Sequence, residues 1–165
     1  MTRTLILTRH AKSSWDDPLL NDHDRPLSKR GRKSAPAVGA WLKKNNWLPD
    51  EVISSTSART RETWQRMGLQ ATIVGFTRDL YLAGAHEVLT ALSGASGQTV
   101  MMLGHNPGIA GFATQIVRQR PDHERFPDYP TGATTIIRFE IDNWADIVWH
   151  SGDVLGFAIP RELLE

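Results

Sequence analysis

The chain has 165 residues, no cysteine and a formal net charge of +1 at neutral pH. That length fits one domain and buries about 70% of the unfolded surface without staples. Zero Cys excludes disulfide scaffolds, thiolate metal sites and cysteine nucleophiles. The near-neutral charge gives no push toward nucleic acid or acidic membranes. No apolar run is long enough to span a bilayer, and Leu5 to Leu7 is too short for a signal-peptide core. The expectation is therefore a cytoplasmic protein with neither membrane nor nucleic-acid partners.

In chain order, Thr2 to Thr8 reads as a buried strand: short, apolar, β-branched and ended by polar residues. Arg9-His10-Ala11-Lys12 comes next as a loop, and the Asp-, Asn- and Pro-rich stretch from Trp15 to Arg25 as a long surface loop. Ser28 is the candidate N-cap of a helix with apolar positions at Ala35, Val38, Trp41 and Leu42, in which Pro36 is expected near the first turn. Asn45-Asn46 ends it. Glu51 to Ser55 reads as a second strand, Ala58 to Met67 as a helix closed by Gly68, and Ala71 to Val74 as a short third strand. Ala85 to Leu92 is helical. Thr99 to Leu103 is continuous and apolar, as in a central parallel strand. Pro107 to Gln119 reads as a helix with Pro107 at its start, residues 121–131 as loop. Thr134 to Ile141 and Asp146 to Ile159 read as two more strands, antiparallel at or near an edge, the second interrupted near Gly152.

Strands alternating with helices imply an α/β three-layer sandwich, a mostly parallel sheet with helices on both faces, in one domain over residues 1–165. In such sheets ligands bind at the carboxyl ends of the strands. Arg9-His10 stands after the first strand, and Ser54-Ser55 ends the second, with Arg59 heading the next helix. Arg78-Asp79 stands after the third strand and Gly104-His105-Asn106-Pro107 after the fourth. Two guanidinium forks match phosphate oxygens, and helix N-termini near Arg59 or Pro107 add N–H donors. A neutral imidazole is a competent nucleophile toward phosphorus. Burial and neighbouring cations should lower its pKa and keep it neutral. Arginines that carry the developing charge remove the need for a metal or other cofactor.

These segments resemble the histidine phosphatase superfamily, the phosphoglycerate-mutase-like fold. Arg9-His10-Ala11 stands where that family has Arg-His-Gly. Ser54-Ser55 precedes the Arg59-Thr60-Arg61-Glu62-Thr63 helix start, Gly104-His105 comes after a central strand, and Leu27-Ser28-Lys29-Arg30-Gly31 is similar to the family's Leu-Thr-x-x-Gly. Residues 9–15 (Arg-His-Ala-Lys-Ser-Ser-Trp) and 22–31 (Asp-His-Asp-Arg-Pro-Leu-Ser-x-Arg-Gly) resemble its phosphohistidine phosphatase SixA-like branch. The resemblance implies that His10 is the nucleophile and that Arg9, Arg59 and His105 complete the phosphate pocket.

The mutase positions for Glu and Asn hold Lys12 and Asp16, which argues against a sugar-phosphate mutase and leaves the role of Asp16 open. For a general acid, Asp79 is the first candidate and Glu87 the second; the alternative for each is an exposed carboxylate. A weak proton donor fits a phosphoramidate, whose labile P–N bond needs less help than an ester's alkoxide. The short run from Ala71 to Leu80 leaves no room for a large cap, and an open site admits a protein side chain. The expected substrate is thus a phosphorylated histidine-containing protein of signalling or phosphotransfer. The alternatives are a small phosphorylated substrate for the same mechanism, or a non-catalytic phosphate-binding domain.

The remaining signals are weaker. Asp16, Asp17, Asp22 and Asp24 lack the Gly and distal Glu of a calcium loop and read as a solvated turn cluster in which Arg25 can pair with one Asp. His86-Glu87 lacks the second His of a zinc-protease helix, and no Gly-rich phosphate loop of an ATPase is present. Lys29, Arg30, Arg32 and Lys33 make a basic helix start, either an exposed face or a docking patch. Of the six Trp, Trp15 alone is expected beside the site; the other five read as core or sheet-face residues.

Overall fold

The computed structural model describes residues 1–164. Strand β1 (Arg3–Arg9) is followed by α1 (Lys29–Lys44), β2 (Glu51–Ser55), α2 (Ala58–Met67), β3 (Ile73–Thr77), α3 (Ala85–Ser93), β4 (Thr99–Gly104), α4 (Gly108–Ile116), β5 (Thr134–Phe139), β6 (Asp153–Ala158) and a short α5 (Pro160–Leu163). The six strands form one sheet in the order β3-β2-β4-β1-β5-β6. β3, β2, β4 and β1 run parallel; β5 is antiparallel to β1, and β6 is antiparallel to β5.

Side-chain alternation along the central strands produces the layers. Leu5, Leu7, Val100 and Met102 point to the face covered by α3 and α4, through Val88, Leu92, Ile109, Phe112 and Ile116. Ile6, Met101 and Leu103 point to the other face, where they meet Val38 and Leu42 of α1 and Met67 of α2. A period of two on the strands and of about 3.6 on the helices thus yields a helix layer on each face of the sheet. Among the described residues no helix is long and apolar enough to cross a membrane.

Four expectations need correction. Pro36 sits in the middle of α1, not near its first turn. It is exposed there, so the carbonyl it leaves without a partner can face water. The third strand lies two to three residues later than expected, at Ile73–Thr77, because as an edge strand exposed over most of its length it carries no clear apolar pattern. The last strand begins only at Asp153: a 3₁₀ turn at Trp144–Asp146 and a loop precede it. Gly152 closes that loop where a Cβ would lie 2.4 Å from Ile137. The helix α4 also stops early, at Ile116, since Val117 bridges to Gly152.

Candidate active site

The carboxyl ends of β1, β2 and β4 meet at one edge of the sheet, because these strands run parallel and β1 and β4 are in register to their last residues, Arg9 beside Gly104. His10 and His105, each one residue beyond its strand, therefore stand side by side with ring centroids 5.2 Å apart. Both are buried, at 5% and 3% exposure. A cavity of about 320 Å³ opens over them, walled also by Arg9, Arg59, Asp22 and Trp15.

The loop carrying His10 is fastened on every side. The His10 N–H donates to the Gly104 carbonyl, and Gly132 N–H donates to the carbonyls of Arg9 and His10. The Ala11 N–H donates to Thr63 Oγ1 on α2. The Lys12 carbonyl accepts from the Ser28 N–H and from Ser28 Oγ, the N-cap of α1. Gly31 allows this approach, since a Cβ there would lie 2.1 Å from the Lys12 oxygen. The Ser28–Gly31 and Thr63 elements of the sequence are thus the supports of the His10 loop.

His10 Nδ1 lies 2.7 Å from the Ala11 carbonyl. A carbonyl can only accept, so Nδ1 carries the proton and the neutral ring has its lone pair on Nε2, which makes no hydrogen bond among the described residues. Burial, opposed by the Ala11 bond and reinforced by the neighbouring His105 and by the charges of Arg59 and Arg9, pushes His10 well below its ordinary pKa. Burial and then Arg59 push His105 down to about 3. Both rings are neutral at pH 7. His105 Nε2 is held by Ser55 Oγ at 2.9 Å, while its Nδ1 is buried with no partner among the described residues, as are Nε of Arg9 and Nε of Arg59. Burial, then the nearby Arg59, lowers the pKa of Arg9 as well. A pocket of crowded cations and unpartnered donors is what an oxyanion such as phosphate relieves.

Asp22 is the residue that sequence reasoning passed over. Read as part of a solvated turn, it instead accepts from Arg59 Nη2 at 3.0 Å, from Arg25 and from the Tyr81 hydroxyl. Its backbone carbonyl takes a second bond from Arg59, at 2.7 Å. Burial opposes its charge, yet Tyr81, Arg59 and Arg25 together hold the carboxyl far below the usual range. Asp22 is therefore a fixed anion that aims Arg59, and it has no proton to give at neutral pH. The Asp-His-Asp-Arg run of residues 22–25 was the available signal. The expected pairing of Arg25 with an Asp is present, and the Arg25 guanidinium also stacks on Trp15, 3.6 Å from the ring centroid. Trp15 lines the cavity mouth as expected and is 74% exposed.

The structure does not bring the two candidate acids to the cavity. Asp79 lies in a 3₁₀ turn at Arg78–Leu80, its N–H capped by Thr77 Oγ1, its side chain exposed. Burial of Leu80 in the core turns Asp79 outward and sends Tyr81 toward Asp22. Glu87 is exposed in the first turn of α3. Asp16 is exposed and does not line the cavity. Asn106, one residue ahead of the N-cap Pro107, accepts from the Ala110 N–H through its Oδ1, and its amide also holds the Asp128 and Tyr129 carbonyls. Among the described residues no group of three or more His, Asp and Glu side chains is placed to hold a metal ion.

A neutral histidine beyond the first strand of a three-layer α/β sandwich, faced by two arginines and a second histidine, defines the class: a phosphatase of the histidine type. The family model described as histidine phosphatase superfamily (branch 1) matches residues 5–80. A protein of Mycobacterium tuberculosis without an assigned function is 31% identical over 160 residues, 93% of this chain and 99% of that one. A chloroplastic protein of Arabidopsis thaliana, also without one, is 39% identical over 124 residues; they make up 66% of this chain but only 56% of that longer relative. The solved structure of a Nakamurella multipartitia protein assigned as phosphohistidine phosphatase SixA superposes with a TM-score of 0.86 at 29% identity, covering 97% of each chain. The protein histidine phosphatase SixA solved with tungstate shares the fold, with a TM-score of 0.77 at 17% identity over 97% of this chain and 99% of that one. The chain belongs to the histidine phosphatase superfamily, in its SixA-like branch.

Proposed function

We propose that the chain is a metal-independent phosphatase that carries the phosphoryl group covalently on His10 and acts on phosphohistidine in a signalling or phosphotransfer protein. The observation that carries this reading is the fixed tautomer of His10: Nδ1 donates to Ala11 and Nε2 keeps its lone pair in a cavity walled by two guanidiniums. Arg9 and Arg59 clamp the phosphoryl oxygens, and His105 donates to the transferring group. His10 Nε2 attacks phosphorus in line as the P–N bond of the substrate breaks. The bonding pair goes to the departing imidazole, which leaves neutral when its other nitrogen already bears a proton. Water then attacks the phosphorylated His10, the P–Nε2 pair returns to the ring, and phosphate leaves with the proton of the water.

The missing proton donor supports the choice of substrate. Asp79 and Glu87 face solvent, and Asp22 is held ionised. An alkoxide leaving group wants a general acid contributing about 10²–10⁴-fold; an imidazole does not. The short 3₁₀ turn after β3 and the exposed Trp15 at the mouth leave room for a protein side chain. A substrate panel with EDTA present tests the reading. A phosphohistidine protein and phosphoramidate should be turned over about 100-fold or more faster than phosphoserine esters, and His10→Ala should abolish both activities. A preference for small phosphate esters would assign the site to a phosphomonoesterase instead. Ligand binding without turnover would make it a binding domain.

A further inference from the structure

A second cleft, of about 230 Å³, adjoins the first and shares Lys12 and Thr131 with it. Its walls bring Lys12, Arg30, Arg125 and Arg161 together from four separate parts of the chain, over a floor that includes Pro160. Asp128 neutralises Arg125 at 2.9 Å. Lys12, Arg30 and Arg161 have no carboxylate partner among the described residues; Glu162, next to Arg161 in the chain, contacts His123 instead. On a chain of net charge +1, this is a local concentration of cations.

Arg30 is also placed against helix physics. The first turn of α1 holds Lys29 and Arg30 and no acidic residue, although the positive end of the helix dipole favours carboxylates there. The same helix start is bonded through Ser28 to the Lys12 carbonyl, two residues from His10. The basic wall is thus fixed relative to the proposed nucleophile.

We infer that this cleft reads acidic side chains flanking the phosphorylated histidine of the protein substrate. The inference rests on the phosphohistidine reading above. Shared walls let one polypeptide occupy both cavities, with its phosphoryl group at His10 and a Glu or Asp among Lys12, Arg30 and Arg161. Long, mobile cations of this kind steer and select a partner more than they hold it, and salt screens them.

The test uses two synthetic peptides that each carry one phosphohistidine, flanked by glutamates in one and by glutamines in the other, with phosphoramidate as the small control. At low salt the glutamate peptide should have a kcat/KM about tenfold higher, an advantage lost at high salt. The Arg30→Glu, Arg161→Glu double variant should lose that advantage and keep its phosphoramidate turnover. Both side chains are exposed and outside the catalytic cavity, and Glu at the start of α1 suits the helix dipole, so folding is preserved. Equal turnover of the two peptides by the unaltered protein would overturn the inference and leave the phosphohistidine reading standing. A preference that survives in the double variant would overturn it too. Equal turnover with inhibition by inorganic triphosphate that the double variant relieves would give the cleft to a small polyanion. Turnover of phosphoramidate but of neither peptide would defeat the substrate reading, and this inference with it.

Discussion

Lowering the pH from about 7.5 to about 5 should destabilise the folded chain through its two site histidines, and His105 sets a magnitude. Its pKa is about 3 in the folded chain against an ordinary 6.5. Between those values the unfolded chain binds a proton that the folded chain excludes. The stabilising contribution is therefore complete above 6.5 and is lost as the pH falls toward 3. At pH 5, roughly 1.5 pH units below 6.5, the loss is about 2 kcal/mol at about 1.36 kcal/mol per unit. His10 acts in the same direction. Asp22 does not confuse the window, because a depressed carboxyl loses its contribution only as the pH falls below its ordinary value of 3.8. Urea unfolding at the two pH values, in buffers free of phosphate, measures the effect on the unaltered protein and on His105→Asn. The unaltered protein should lose about 2 kcal/mol more than the variant, a difference of roughly 1 M in the shift of the urea midpoint. Equal pH dependence in the two proteins would refute the argument that burial keeps this ring neutral.

The supports and the boundaries of the site give two further expected outcomes. Gly31→Ala places a methyl group 2.1 Å from the Lys12 oxygen and must push α1 away from the His10 loop. Losing the two Ser28 bonds (about 2 kcal/mol) and overpacking (about 1–3) outweigh the helix-propensity gain of about 1, so the net cost is about 2–4 kcal/mol. Calorimetry should show a Tm lower by roughly 5–15 °C, with a reduced kcat; an unchanged Tm would mean that the contact does not hold the loop. Asp79→Asn and Glu87→Gln should each keep turnover within about twofold, whereas a loss of about 100-fold in either would restore that residue as proton donor.

Arg9, His10, Arg59 and His105 were legible from sequence because each ends a strand, stands just beyond one or opens a helix, and parallel strands put their carboxyl ends at one edge whatever the details of the loops. The helix starts were legible for a similar reason. Ser28 and Ser57 cap α1 and α2 through local bonds that depend on a few neighbouring residues. Asp22 was not, since its position depends on distant partners. Its loop is tied down by Arg25 to Ser13 and by His23 to Thr56, contacts that no local pattern encodes. Asp79 failed for the opposite reason: it stands just after β3 and looks well placed, but the tight turn around buried Leu80 rotates it into solvent. The edge strands β3 and β6 blurred because each lacks a neighbour on one side, so that burial imposes little pattern on them.

Isolation of the phosphoenzyme decides whether the phosphoryl group passes through His10. The protein is mixed with phosphoramidate, quenched in base within the first turnover and digested. One phosphoryl group is expected on His10, stable in base, released by acid and missing from His10→Ala. A phosphoryl group found on another residue, or full turnover by the His10→Ala protein, would contradict it.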